Sequence, residues 1–181
     1  MARVHLMDLK EMQPDLQETF RKLEANGYSV LNINRAMAHA PELSRDFLRL
    51  GSKILFKSRL DPKLRELAIL RVSRLTKCKY ERMQHEIIAR KLDMPDLQIE
   101  AVKKWQGSKH FDKREQAVLQ YTDEVTSEVR AKNSTYKKLQ AFLSEREIVE
   151  LTITIGYYNL VSRFLEALEV DLDEMGLQKD K

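Results

Sequence analysis

Three side chains able to do chemistry crowd one short stretch, "LTKCKYERMQH", which sets Cys78, Glu81 and His85 at helical spacing. On a helical wheel with Cys78 at zero, Glu81 falls near 300° and His85 near 340°. Ile88, Ala89 and Leu92 occupy the same arc, while Lys79, Arg82, Glu86, Arg90 and Lys91 lie outside it. Glu81 and His85 are therefore expected to face inward. A carboxylate and an imidazole four residues apart on a helix can meet, and such a pair holds a proton between groups of tunable pKa. That is the requirement of general acid–base catalysis. A structural polar contact in the core has the same spacing, and Cys78 reads either as a small buried hydrophobe at a helix start or as a thiol of the same pocket.

Two further segments carry candidates. Arg71 falls among Leu64, Leu67, Ala68 and Leu75 on its wheel, so its guanidinium needs a carboxylate from another helix or an anionic ligand. Glu66, by contrast, groups with Ser73 and Lys77 in what reads as a solvated stripe. Near the C-terminus, "TIGYYNLVSRF" places Tyr157, Tyr158, Asn159 and Arg163 in an apolar element, where phenols and amides need partners; helix or subunit packing would satisfy them equally well. His5, His39 and His110 have no ligand spacing around them. There is no metal motif, glycine-rich phosphate loop or nucleophile elbow.

The elements that must position these residues read as helices throughout. Five glycines and four prolines interrupt 181 residues, and the apolar period is close to 3.6 in nearly every segment. A helix is expected from about Leu6 to Ala25, broken or kinked at Pro14, then a short one at Ile33–Ala38 and another opening at Pro41. Asp61 caps the next, with Pro62 in its first turn, and is followed by a helix over Cys78–Leu92 and a short one over Asp93–Trp105. Capping boxes at Asp112/Glu115 and Ser144/Glu147 open helices to about Val129 and Val170, with a helix from Ser134 between them.

The composition, 43% hydrophobic and 33% charged with a net charge of +4 and mixed signs, describes an ordinary globular chain and gives no basic block for nucleic acid. One cysteine excludes an internal disulfide and fits a reducing, cytoplasmic setting. The longest uncharged run, residues 151–162, falls short of the roughly 20 residues needed to cross a bilayer, and no signal peptide is apparent.

The segment "LDPKLRELAILRVSRLTKCKYERMQHEIIARKL" resembles the core of the carboxymuconolactone decarboxylase family, which includes the alkyl hydroperoxidase D-like proteins. The closing "LSEREIVELTITIGYYNLVSRFLEAL" is similar to the last helices of one branch. The resemblance implies an all-α, single-domain helical bundle of the alkyl hydroperoxidase D-like type, assembled as a homo-trimer or homo-hexamer. It also implies a division into an N-terminal helical segment (1–30), the family-like domain (31–170) and a C-terminal tail (171–181).

Glu66, Cys78 and His85 match three places of the hydroperoxidase pattern, but Glu81 stands where the second cysteine belongs, which removes the Cys-X-X-Cys redox cycle. The resemblance also moves Glu66 into a proton relay. The expected function is a cofactor-independent acid–base enzyme acting on a small carboxylate or lactone. His85, Glu81, Glu66 and Cys78 are its catalytic candidates, and Arg71, Tyr157 and Asn159 its substrate-binding candidates. The alternatives are a peroxidase-type antioxidant using Cys78 with an external thiol reductant, and a catalytically silent oligomeric binding protein.

Overall fold

The computed structural model describes residues 1–173, and among these it contains nine α-helices and no strand. They are α1 (Pro14–Ala25), α2 (Asn32–Met37), α3 (Pro41–Lys57), α4 (Pro62–Leu75), α5 (Lys79–Lys91), α6 (Asp96–Ala101), α7 (Lys113–Glu128), α8 (Asn133–Gln140) and α9 (Glu145–Ala167). Residues 174–181 of the expected C-terminal tail lie outside the described residues. The chain forms two compact units, Met1–Ser52 together with the segment from Leu165 onward, and Lys53–Phe164.

In the first unit Pro14 starts a helix rather than kinking one. Proline tolerates the first helical position, where its missing N–H has no partner to lose. The residues before it form a separate 3-10 turn, Leu9–Glu11. Met12, Leu16, Phe20 and Ala38 make the core of this unit, packed by Met7, Leu9, Leu23, Val30 and Leu48.

The second unit is built around α4, which packs along α5 and α7. Asp61 caps it as expected, its carboxylate accepting the N–H groups of Lys63 and Leu64. Every residue from Leu64 to Ser73 is buried, so this helix has no solvent face. That overturns the solvated stripe read for Glu66. A wheel divides a helix into an apolar and a wet side, and a central helix has only neighbours.

A tight turn joins α4 to α5, with Lys77 in the left-handed region at φ 59° and Cys78 as the N-cap of α5. α5 is one-sided, with Glu81, His85 and Ala89 buried in one line. The expected helix over Asp93–Trp105 is α6 followed by a 3-10 turn, Val102–Lys104. The helix expected from Ser134 begins one residue earlier at Asn133, and α9 stops at Ala167, short of Val170.

Both capping boxes form. Asp112 accepts from the backbone of Arg114 and Glu115 while Glu115 reaches back to Asp112 N, and Ser144 and Glu147 bond reciprocally.

Glu150 of α9 fixes the approach to α4. Its carboxylate accepts from Ser58 Oγ at 2.7 Å, Arg59 N at 2.8 Å and Leu60 N at 3.0 Å. Burial alone would raise its pKa, but the Ser58 hydroxyl, the Arg146 guanidinium and the two backbone donors outweigh it and hold the carboxyl at about 2. A depressed carboxylate pKa stabilises the fold above its unfolded value, 4.5, and that contribution is lost as pH falls toward 2. At about 1.36 kcal/mol per unit the ceiling is about 3 kcal/mol, and solvent screening of this partly exposed group reduces it to about 1–2 kcal/mol. Urea unfolding of Glu150→Gln between pH 5 and pH 2 should lack that part of the acid limb seen in wild type; superimposable curves would show the cap to be energetically idle.

Candidate functional site

The centre of the site is His85, held between two carboxylates. Its Nδ1–H donates to Glu66 Oε2 at 2.6 Å, and its Nε2 lies 3.5 Å from Glu81 Oε2. The other oxygen of Glu66, Oε1, accepts from Arg65 Nε at 3.2 Å. Glu66 is fully buried, and Arg65, Glu81 and His85 are each no more than 6% exposed. Ionised groups taken this far from water survive only when paired and hydrogen-bonded, and here each has a charged neighbour of opposite sign.

Local structure explains how the pieces meet. Arg65 and Glu66 are consecutive residues of α4, and burial of that helix on all sides turns both toward protein. His85 reaches Glu66 because α4 and α5 run as a hairpin through the Lys77 turn. Glu81 sits one turn before His85, in the first turn of α5, where the helix dipole favours a negative charge.

The electrostatics favour the imidazolium. Burial by itself lowers the His85 pKa, but the Glu66 carboxylate, by charge and by hydrogen bond, and then the Glu81 charge, outweigh it. The net pKa is raised above 6.5, with Arg65 opposing the rise. The fold therefore favours the protonated form of His85, its Nδ1 side locked by Glu66 and its Nε2 side next to Glu81.

Two aromatic rings flank the imidazole. Tyr158 meets His85 edge to face, with centroids 4.7 Å apart and planes at 87°. Tyr157 meets Tyr158 in the same manner at 5.3 Å and 78°. Burial first, and the Glu81 charge second, push both phenols well above their ordinary pKa, so both stay neutral. Tyr158 is buried and Tyr157 half-buried, which makes Tyr157 the solvent-side end of the ring series.

The other sequence candidates occupy different surroundings. Cys78 is fully buried at the N-cap of α5, three residues before Glu81. Arg71 bonds Asp123 through Nε and, at 3.1 Å, through Nη2, and its Nη1 donates to the carbonyls of Val102 at 3.1 Å and Lys103 at 3.0 Å. Trp105 Nε1 and Gln106 Nε2 also donate to Asp123, so this cluster ties residues 102–106 to α7. Asn159 donates to Thr126 Oγ1 and to Ile155 O, and accepts from Arg163.

The structure thus brings together Glu66, Glu81 and His85, with Tyr157 one ring further out, and adds Arg65, which was not singled out, and Tyr158, which was noted in its segment but not among the substrate-binding candidates. A signal existed for Tyr158, which continues the buried line Leu151, Ile155, Ser162 along α9. For Arg65 there was none, since its burial follows from packing on every side of α4. Among the described residues no cluster of three or more His, Cys, Asp or Glu side chains is arranged to hold a metal ion. Nor is any described helix long and apolar enough to cross a membrane.

The model of the carboxymuconolactone decarboxylase family matches residues 41–124, which include Arg65, Glu66, Cys78, Glu81 and His85. No curated protein matches the sequence. Among solved structures, a peroxidase-related protein from Ralstonia eutropha JMP134, described as an alkylhydroperoxidase AhpD core, superposes with a TM-score of 0.84 at 16% identity, covering 96% of this chain and 93% of its own. A peroxidase-related protein from Silicibacter sp. TM1040 gives 0.84 at 18%, with 99% and 95% covered. A cysteine-to-alanine variant of the debrominase Bmp8 in complex with 2,3,4-tribromopyrrole gives 0.76 at 20%, with 89% and 87% covered. At these identities the likeness to the three structures is one of fold. The family match spans α4 and α5, the helices that hold the Glu66–His85–Glu81 cluster, so over residues 41–124 the chain is similar to the carboxymuconolactone decarboxylase family, and it shares the fold of the alkyl hydroperoxidase D-like structures.

Proposed function

We propose that the protein is a cofactor-independent acid–base enzyme acting on a small lactone or carboxylated substrate. The observation that carries this reading is the placement of His85, bonded to Glu66 at 2.6 Å on one nitrogen and 3.5 Å from Glu81 on the other. Glu66, itself held by Arg65, orients the imidazole and stabilises its protonated form. The Glu81 carboxylate is the acceptor for a proton on carbon next to a carbonyl. As that C–H bond breaks, its electron pair moves onto the carbonyl oxygen, where the His85 Nε2–H donates a hydrogen bond; return of the proton to carbon regenerates both groups. Arg71 is assigned a structural role, since its donors are engaged by Asp123 and two backbone carbonyls. The reading takes the enzyme as a cytoplasmic homo-oligomer, supported for self-association by Val149, Ile153 and Leu160, exposed along one face of α9.

A second reading, a thiol antioxidant, draws on the peroxidase-related description of two structural relatives. Complete burial of Cys78 weighs against it, because peroxide and an external thiol must both reach the sulfur. Hydrogen peroxide consumption with dithiothreitol should be negligible and equal in wild type and Cys78→Ser. Turnover lost in the variant, with a sulfenic acid seen by mass spectrometry, would make the thiol the reactive group.

For the acid–base reading, proton exchange and isomerisation of a neutral butenolide, and decarboxylation of a γ-carboxylated one, can be followed by NMR in deuterium oxide. His85→Gln should lower kcat by about 10²–10⁴. Equal rates in the two proteins would overturn the assignment. Because the His85 pKa is raised on folding, the native state binds the extra proton more tightly, so its contribution is complete below about pH 6.5 and is lost as pH rises through the elevated value. Wild type should therefore lose unfolding free energy relative to His85→Gln as pH rises above neutrality. Parallel stability curves would mean that His85 is not charged in the fold.

A further inference from the structure

His85 is held unequally at its two ring nitrogens. Its Nδ1 bond to Glu66 is short, 2.6 Å, whereas Nε2 stands 3.5 Å from Glu81, beyond the reach of about 2.7–2.9 Å that marks a charge-assisted hydrogen bond. A single hydrogen bond at Nδ1 fixes that atom better than it fixes the plane of the ring, and Nε2 moves with the plane. Tyr158 is the side chain that meets this plane, with ring centroids 4.7 Å apart and planes crossing at 87°. Both residues are no more than 5% exposed, so neither ring turns without displacing packed neighbours. Tyr157 stands edge to face against Tyr158 in turn, at 5.3 Å and 78°. The imidazole is thus supported from α9, independently of α4, which supplies Glu66, and of α5, which carries His85 and Glu81.

We propose that Tyr158 is a positioning residue: its ring, not its hydroxyl, holds the imidazole plane so that His85 Nε2 stays beside Glu81 while Nδ1 keeps its bond to Glu66. In a perpendicular pair the positive edge of one ring meets the negative face of the other, so the contact attracts as well as fills space. An aliphatic side chain of similar bulk offers neither edge nor face and lets the imidazole rock. The phenol stays neutral, so this support brings no charge into the cluster. The consequence for turnover rests on the acid–base reading, whereas the positioning itself is a property of the resting protein. A loosely placed Nε2 reaches the reactive geometry less often without weakening substrate binding, which lowers kcat and leaves KM in place.

Proton and nitrogen NMR of the His85 ring in the full-length protein tests this without any substrate. The titratable groups facing that ring are Glu66 and Arg65 from α4, Glu81 from α5 and Tyr158 from α9. Wild type and Tyr158→Phe should each show one sharp set of His85 ring signals and a titration midpoint above 6.5. Tyr158→Leu, which keeps apolar bulk and removes the ring, should broaden or double those signals. It should also bring the midpoint down toward 6.5, because water reaching a loosened imidazole screens the two carboxylates. Tyr158→Met, whose unbranched chain fills irregular gaps, gives the same reading where Tyr158→Leu fails to fold, with native amide dispersion as the check. In butenolide turnover, Tyr158→Leu should lower kcat about 10–100-fold with KM within about threefold of wild type, and Tyr158→Phe should restore most of the loss. His85 signals and midpoint in folded Tyr158→Leu or Tyr158→Met that match wild type overturn the proposal. So does a Tyr158→Phe protein that behaves like Tyr158→Leu, which would transfer the role to the hydroxyl. Failure of the acid–base reading shows separately, as butenolide turnover indifferent to His85→Gln, and the NMR comparison still decides the role of Tyr158.

Discussion

Everything at this site follows from one constraint: an ionised carboxylate, Glu66, lies on a helix that has no side open to water. Solvent cannot stabilise that charge, so the protein must, and it does so with Arg65 on one oxygen and His85 on the other. The same constraint recurs along α4. Arg71 is buried on the same helix and draws in Asp123 from α7 and the backbone of residues 102 and 103. Placing charges on the central helix therefore fixes both the proton-handling cluster and the packing of the segment between α6 and α7.

The helical architecture was largely legible in the sequence because its signals are local. Asp61, Asp112 with Glu115, and Ser144 with Glu147 mark helix starts through hydrogen bonds to residues two or three away. The inward placement of Glu81 and His85 was legible too, since α5 keeps a polar side and a wheel can separate the two. The same tool failed on α4. Glu66 entered the site only through family resemblance, and Arg65 not at all, because their surroundings are made by helices distant in sequence. Tyr157 was preferred to Tyr158, although Tyr158 continues the buried line of α9 and touches the imidazole.

In the hydroperoxidase pattern that this chain resembles, a second cysteine occupies the place of Glu81. A thiol pair stores electrons, whereas a carboxylate beside an imidazole stores a proton. The scaffold around that position, with the α4–α5 hairpin and the Glu66–His85 bond, is able to hold either. What the substitution alters is the currency of the site, and in this chain the remaining thiol sits fully buried at the N-cap of α5.

The Lys77 turn sets a different kind of limit. Glu66 and His85 lie on opposite arms of a hairpin whose only joint is a lysine held at φ 59°, a conformation that costs a non-glycine residue about 1 kcal/mol. Side chains there can be exchanged with modest effect, glycine among them. Adding or deleting one residue between positions 66 and 85 cannot be absorbed in the same way, since it rotates the rest of a helix by about 100° and carries His85 off the carboxylate. The spacing of this segment is thus under tighter constraint than its composition, and variants that alter its length should lose the cluster while keeping most of their helices.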